Sequence, residues 1–182
     1  MKNILLISGL LFFATSMFAQ KYITKTGHIM FYSDTPLETI EAHNHQVNSV
    51  LDVETGDFVF KVLIKSFEFE KALMQEHFNE NFVESDKYPN STFKGKIVNI
   101  ADMDLTQPGE YEVVVEGDLT LHGETQKVRT KGTMKSSGDK IEGNSKFMAK
   151  PEDYKIKIPS TVVNKIADEI EVTVEITLEK YK

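Results

Sequence analysis

Four stretches of this chain alternate strictly between apolar and polar residues, and that period of two constrains the fold more than any other feature. Phe58, Phe60, Val62 and Ile64 share one face of the first run, with Asp57, Lys61 and Lys65 on the other. Tyr111, Val113, Val115, Gly117, Leu119 and Leu121 stand against Glu112, Glu116, Asp118 and His122. Lys127, Arg129, Lys131 and Lys135 oppose Val128, Thr130, Gly132 and Met134, and Ile170, Val172, Val174, Ile176 and Leu178 oppose Glu169, Glu171, Glu175 and Glu179. Successive side chains of a strand point to opposite faces, so each run predicts a strand with one face buried and one solvated. Turn signals at Gly56-Asp57, Pro108-Gly109, His122-Gly123 and Ser137-Gly138-Asp139 make consecutive strands antiparallel neighbours. Further strands are expected at 22–32, 45–53, 92–100 and 140–148. The total is about eight, an all-β antiparallel fold that removes its edges by closing into a barrel.

One segment departs from this period. Between 70 and 83, Leu73, Met74, His77, Phe78, Asn81 and Phe82 recur at helical spacing, which predicts a short helix with His77 on its buried stripe. The helix ends before Tyr88-Pro89, because proline disfavours helical angles in the residue it follows. A second helical turn is expected around 161–166.

The first nineteen residues read as a signal peptide: Lys2, then the apolar run ILLISGLLFF, then a TSMFA segment that ends at a cleavage point near Ala19. The run is too short to span a bilayer as a helix. This leaves one domain over 20–182, expected to be periplasmic or secreted. An outer-membrane barrel is disfavoured, since the strands lack aromatic girdles at both ends and a helix interrupts the series. The chain has no cysteine, which removes disulfides, thiol nucleophiles and cysteine metal sites. Its net charge of −7 repels polyanions, so nucleic acid is not an expected partner.

Two clusters carry ionisable groups. His43 and His45 project from one face of a strand, a spacing that zinc and copper sites use, but a third ligand is not evident and the pair reads as a solvated strand end. Glu76, His77 and Glu80 lie within little more than one helical turn, yet the acidic pair falls on the polar side. There is no nucleophile elbow and no Gly-rich phosphate loop. No catalytic residue, cofactor or metal is therefore expected, and a metal-dependent enzyme using these groups is the weakest reading.

What the sequence supplies in quantity is apolar lining. A barrel of eight strands is wide enough to be filled by side chains or to admit one small ligand. Twelve phenylalanines, interspersed with Gly95, Gly117, Gly132 and Gly143, suggest a lining of mixed size with room for an elongated guest. The competing expectation is a packed barrel that serves as a protein-interaction or stress-related module.

Two motifs carry a family resemblance. The spacing F-x3-F-x5-YP-x3-F from Phe78 to Phe93, and GDLTLHGET at 117–125, resemble the signature of YceI-like proteins, as does ADEIEV at 167–172. The resemblance covers about 58–180. It implies a lipocalin-like barrel, exported in many bacteria, that holds a polyisoprenoid or other long amphiphile and has no established enzymatic activity. On the N-terminal side, residues 35–42 look like an insertion relative to the family pattern. The expected ligand-lining residues are Phe58, Phe60, Val62, Ile64, Tyr111, Val113, Val115, Leu119, Leu121, Met134, Phe147, Val172, Val174 and Ile176. Phe78, Phe82 and Phe93 are expected to seat the helix over one mouth, with His77 placed to meet a ligand headgroup.

Overall fold

The computed structural model describes residues 20–181, so the signal-peptide reading of residues 1–19 lies outside the described residues. The strands are β1 (Lys21–Asp34), β2 (Thr39–Asp52), β3 (Asp57–Leu63), β4 (Glu68–Phe69), β5 (Asn90–Ile97), β6 (Gly109–Leu121), β7 (Glu124–Ser136), β8 (Lys140–Ala149) and β9 (Ile170–Lys180). All pairings are antiparallel, and β1 pairs with both β2 and β9. The sheet therefore closes into an eight-stranded barrel, with the two-residue β4 added at one end of β2.

Closure follows from the alternation. Phe58, Val62, Val113, Val115, Met134, Ile176 and Leu178 are buried inside, while the lysines and glutamates between them stay in water. The β6–β7 hairpin turns on His122 and Gly123, both with positive φ (51° and 78°). That is the backbone of a two-residue turn whose twist matches the flanking strands.

Three sequence expectations need correction. β2 begins at Thr39 and not near residue 45, and it pairs with β1 directly from Asp34↔Thr39. Residues 35–42 are thus a hairpin turn plus the first residues of β2. The helical stretch is α1 (Ala72–His77), which continues into a wider π-type turn at Phe78–Phe82. His77 is exposed, not buried. The stripe containing it faces the barrel interior as expected, but that interior is not filled. The turn near 161–166 is present as a short 3₁₀ segment at Val163–Lys165.

The two ends of the barrel differ. At one end, residues 98–108 fold across the opening and Leu105 plugs it, 2 % exposed, among Tyr22, Leu51, Ile97, Ile141 and Leu178. Ser136 Oγ donates to the Leu105 carbonyl oxygen at 2.7 Å, Tyr111 Oη donates to the Asp104 carbonyl at 3.0 Å, and Tyr22 Oη donates to the Gly138 carbonyl. Burial, with the charges of Asp139 and Asp104, raises the Tyr22 phenol above its ordinary pKa. At the other end a second buried group of Ala42, Val47, Val62, Ile64, Phe67 and Val83 is flanked by half-buried aromatic rings.

Candidate functional site: an apolar bore with an open mouth

Between these two clusters lies a cavity of about 1020 Å³. It is lined by sixteen of the seventeen residues expected from the sequence: Phe58, Phe60, Val62, Ile64, His77, Phe78, Phe82, Val113, Val115, Leu119, Leu121, Met134, Phe147, Val172, Val174 and Ile176. The exception is Tyr111, whose hydroxyl is committed to the plug at the closed end. The packed interior expected as the alternative is present at that closed end but does not extend through the bore.

Two further expectations are corrected. Phe93 does not seat the helix; its ring meets Phe60 edge-on at 6.1 Å and packs with the closed-end cluster. Of the four glycines, only Gly143 lines the cavity. Gly95 and Gly117 face each other across β5 and β6, and a Cβ on either would lie within 2.7 Å of the Phe93 ring. They make room for Phe93, not for a guest. A Cβ on Gly132 would strike the Asn144 carbonyl.

Phe78 is held at the mouth by a nest of rings: Phe31 at 5.4 Å, Phe67 at 5.7 Å and Phe69 at 5.1 Å between centroids. Such tilted pairs add about 0.5–1.5 kcal/mol each beyond area burial. The π-type turn lets Phe78 and Phe82 both reach inward, and the Val83 amide closes it onto the Phe78 carbonyl at 3.0 Å. Leu73 points at the same opening and remains 61 % exposed.

Sequence reasoning missed part of the wall. Ile29, Phe31 and Ser33 of β1 line the bore, but they lie in HIMFYS, where apolar residues fill both faces and hide the period. The irregular strap 151–166 contributes Tyr154, Ile156, Ile158 and Val162, and its KIKIP run was the available signal.

The rim is polar. Glu38 lies between Lys71 (3.4 Å) and Lys165 (3.6 Å), so two ammonium groups share one carboxylate and one positive charge is left over at the opening. Exposed His77 accepts from Asn81 Nδ2 through its Nδ1 at 2.9 Å. Glu76 and Glu80 are solvated, as expected.

The two sequence motifs meet beside this mouth. The Tyr88 ring packs on His122 with centroids 4.6 Å apart, and Gly123 leaves room for it, since a Cβ there would lie 2.6 Å from Tyr88. His122 spans Glu84 (2.7 Å) and the Tyr154 carbonyl (2.9 Å), tying hairpin, helix end and strap together. The hydrogen bond from His122, with help from Lys87, holds the Glu84 carboxyl below its ordinary value.

A family model for the YceI-like domain matches residues 19–178. The chain belongs to the YceI-like family. No curated protein matches it. Among solved structures, a polyisoprenoid-binding domain from Saccharophagus degradans, implicated in plant cell wall breakdown, is 15 % identical with a TM-score of 0.77, over 88 % of this chain and 98 % of that one. Burkholderia cenocepacia BcnA is 14 % identical with a TM-score of 0.66, over 84 % and 95 %. A Campylobacter jejuni YceI protein is 17 % identical with a TM-score of 0.58, over 78 % and 84 %. At such identities the YceI-like barrel is what is shared.

Proposed function

We propose that this YceI-like protein is an exported, non-enzymatic carrier that holds one elongated amphiphile, a polyisoprenoid or another long-chain lipid, in its bore. The observation that carries this reading is the apolar cavity of about 1020 Å³ opening beside Leu73 and Phe78. Burying a chain of ten methylenes there contributes about 8 kcal/mol at ~0.8 kcal/mol each, before the costs of association. The leftover positive charge of Lys71 and Lys165 favours an anionic headgroup such as a phosphate or carboxylate. The polyisoprenoid-binding relative supports the ligand class, and the N-terminal leader pattern supports export. The test is native mass spectrometry of protein purified from its own host, followed by titration with polyprenyl lipids. A retained lipid, or one-to-one uptake of an added one, is expected; no bound species in either arm overturns the proposal.

A further inference from the structure

His43 and His45 are not at a strand end. They lie within β2 on the outer wall of the barrel, and β1 brings His28 beside them. Three of the chain's five histidines thus form one group, with one nitrogen from each ring within 4.8 Å of the others.

The backbone is built to make this group. The β1–β2 register slips between Gly27↔Val47 and Ile29↔Asn44, so His28 opposes two residues, His45 and Gln46. Such a bulge re-aims side chains. It is braced from inside by fully buried Asn44, whose Oδ1 accepts the Gln46 amide at 2.9 Å while its Nδ2 donates to the Leu63 carbonyl at 2.9 Å.

The proton inventory then becomes informative. His28 Nδ1 lies 2.9 Å from the Glu175 carboxylate, and His43 Nε2 lies 2.7 Å from that of Glu41. Carboxylates accept, so both outer nitrogens are the N–H donors. The inner nitrogens, His28 Nε2 and His43 Nδ1, face each other at 3.0 Å, and their lone pairs oppose unless one cation sits between them, a proton or a metal. The ring planes are 9° apart with centroids 5.2 Å apart, so the two lone pairs are aimed nearly edge to edge. The His45 ring stacks parallel over His28 at 4.4 Å, and one of its nitrogens comes within 4.8 Å of the other two, so a turn of its ring brings a third nitrogen to a shared ion. Carboxylates on the outer nitrogens are the arrangement that fixes the tautomer of metal-ligating histidines.

We propose that His28, His43 and His45 form a binding site for one borderline divalent cation of the zinc, copper or nickel class, with Glu175 and Glu41 orienting the first two rings. Imidazole nitrogen suits these ions and not magnesium or calcium. Two nitrogens at zinc-ligand distance on a tetrahedral ion are about 3.3 Å apart with their lone pairs converging on it, so besides opening slightly from 3.0 Å the nearly coplanar His28 and His43 rings must turn towards the ion. Three protein nitrogens leave a coordination position free on an accessible surface. The site is on the opposite side of the wall from the bore and does not depend on the lipid reading.

The experiment titrates Zn²⁺, and separately Mg²⁺, into the untagged, chelator-treated full chain by calorimetry, with the thermal melt as a folding control. One Zn²⁺ per chain and no Mg²⁺ uptake are expected. His28→Ala and His45→Ala each weaken Zn²⁺ binding by more than tenfold, Glu175→Gln weakens it ~10–100-fold, and His77→Ala at the mouth leaves it unchanged. His28→Asn serves where the alanine variant does not fold. Absence of stoichiometric Zn²⁺, equal uptake of Mg²⁺, or affinity unmoved by the His28 and His45 variants overturns the site.

Discussion

The two ends of the barrel are built from the same kinds of side chain and use them differently. At the closed end Tyr22, Leu51, Ile97, Leu105, Ile141 and Leu178 are 0–2 % exposed, and hydroxyl groups tie the plug to strand ends. At the mouth Phe78 and Phe82 are only half buried, and Leu73 is open to water. Apolar area left exposed in this way is unspent driving force, and a contiguous patch of it marks a binding surface. The closed end stabilises the fold; the mouth leaves apolar surface open, where the proposed guest would enter.

Substitutions of matched chemistry should separate the two ends. Leu105→Ala leaves a cavity in the plug and should lower unfolding free energy by about 2–5 kcal/mol, read by denaturant titration, without altering the lining of the bore. Leu73→Ala should change stability by less than about 0.5 kcal/mol yet weaken lipid binding. Equal destabilisation by both would erase the distinction drawn here.

Gly123→Ala probes the joint between hairpin and mouth. The positive φ costs about 1–2 kcal/mol for a residue with a Cβ, and the Tyr88 ring must also move. A drop in melting temperature is expected, with detachment of the 84–88 turn visible as faster amide exchange. An unchanged melt would show that the contact carries no weight.

The Glu84–His122 pair gives the mouth an acid limit. Because the folded carboxyl lies below its ordinary value of 4.5, its contribution is present above that value and is lost as pH falls through the folded pKa. The stability advantage over Glu84→Gln should therefore be full above that ordinary value and shrink as the pH falls below it. An advantage that grows in acid would contradict the assignment. The smallest effect is expected from Lys71→Gln, a few-fold loss of affinity for a prenyl phosphate with little change for the corresponding alcohol.

The barrel was legible because four strands carry a clean period of two, and charge on the outer face cannot be mistaken for core. The bore was legible for the same reason, since Phe58 to Ile64 and Val172 to Ile176 turn inward together. What stayed hidden lay where one period overlies another. β1 carries HIMFY, apolar on both faces, and so concealed Ile29 and Phe31. Starting β2 at residue 45 concealed His28 too. Carrying the Asp34↔Thr39 register back along both strands sets residue 28 against residue 45, which would have supplied the missing third imidazole. Whether a glycine makes room for a guest or for a neighbouring ring, as Gly95 and Gly117 do for Phe93, depends on packing that no linear pattern contains.

The central claim is that the bore takes a lipid chain, and the most direct measurement is to fill it. Leu119→Trp places an indole in the cavity lining, away from the plug and the rim. The indole takes up only part of the bore of about 1020 Å³, so native mass spectrometry across a prenyl phosphate titration should show one lipid on the wild-type barrel and clearly weaker uptake by the variant, with both melting cooperatively. Uptake unchanged by the indole, or absent from both, would contradict the account.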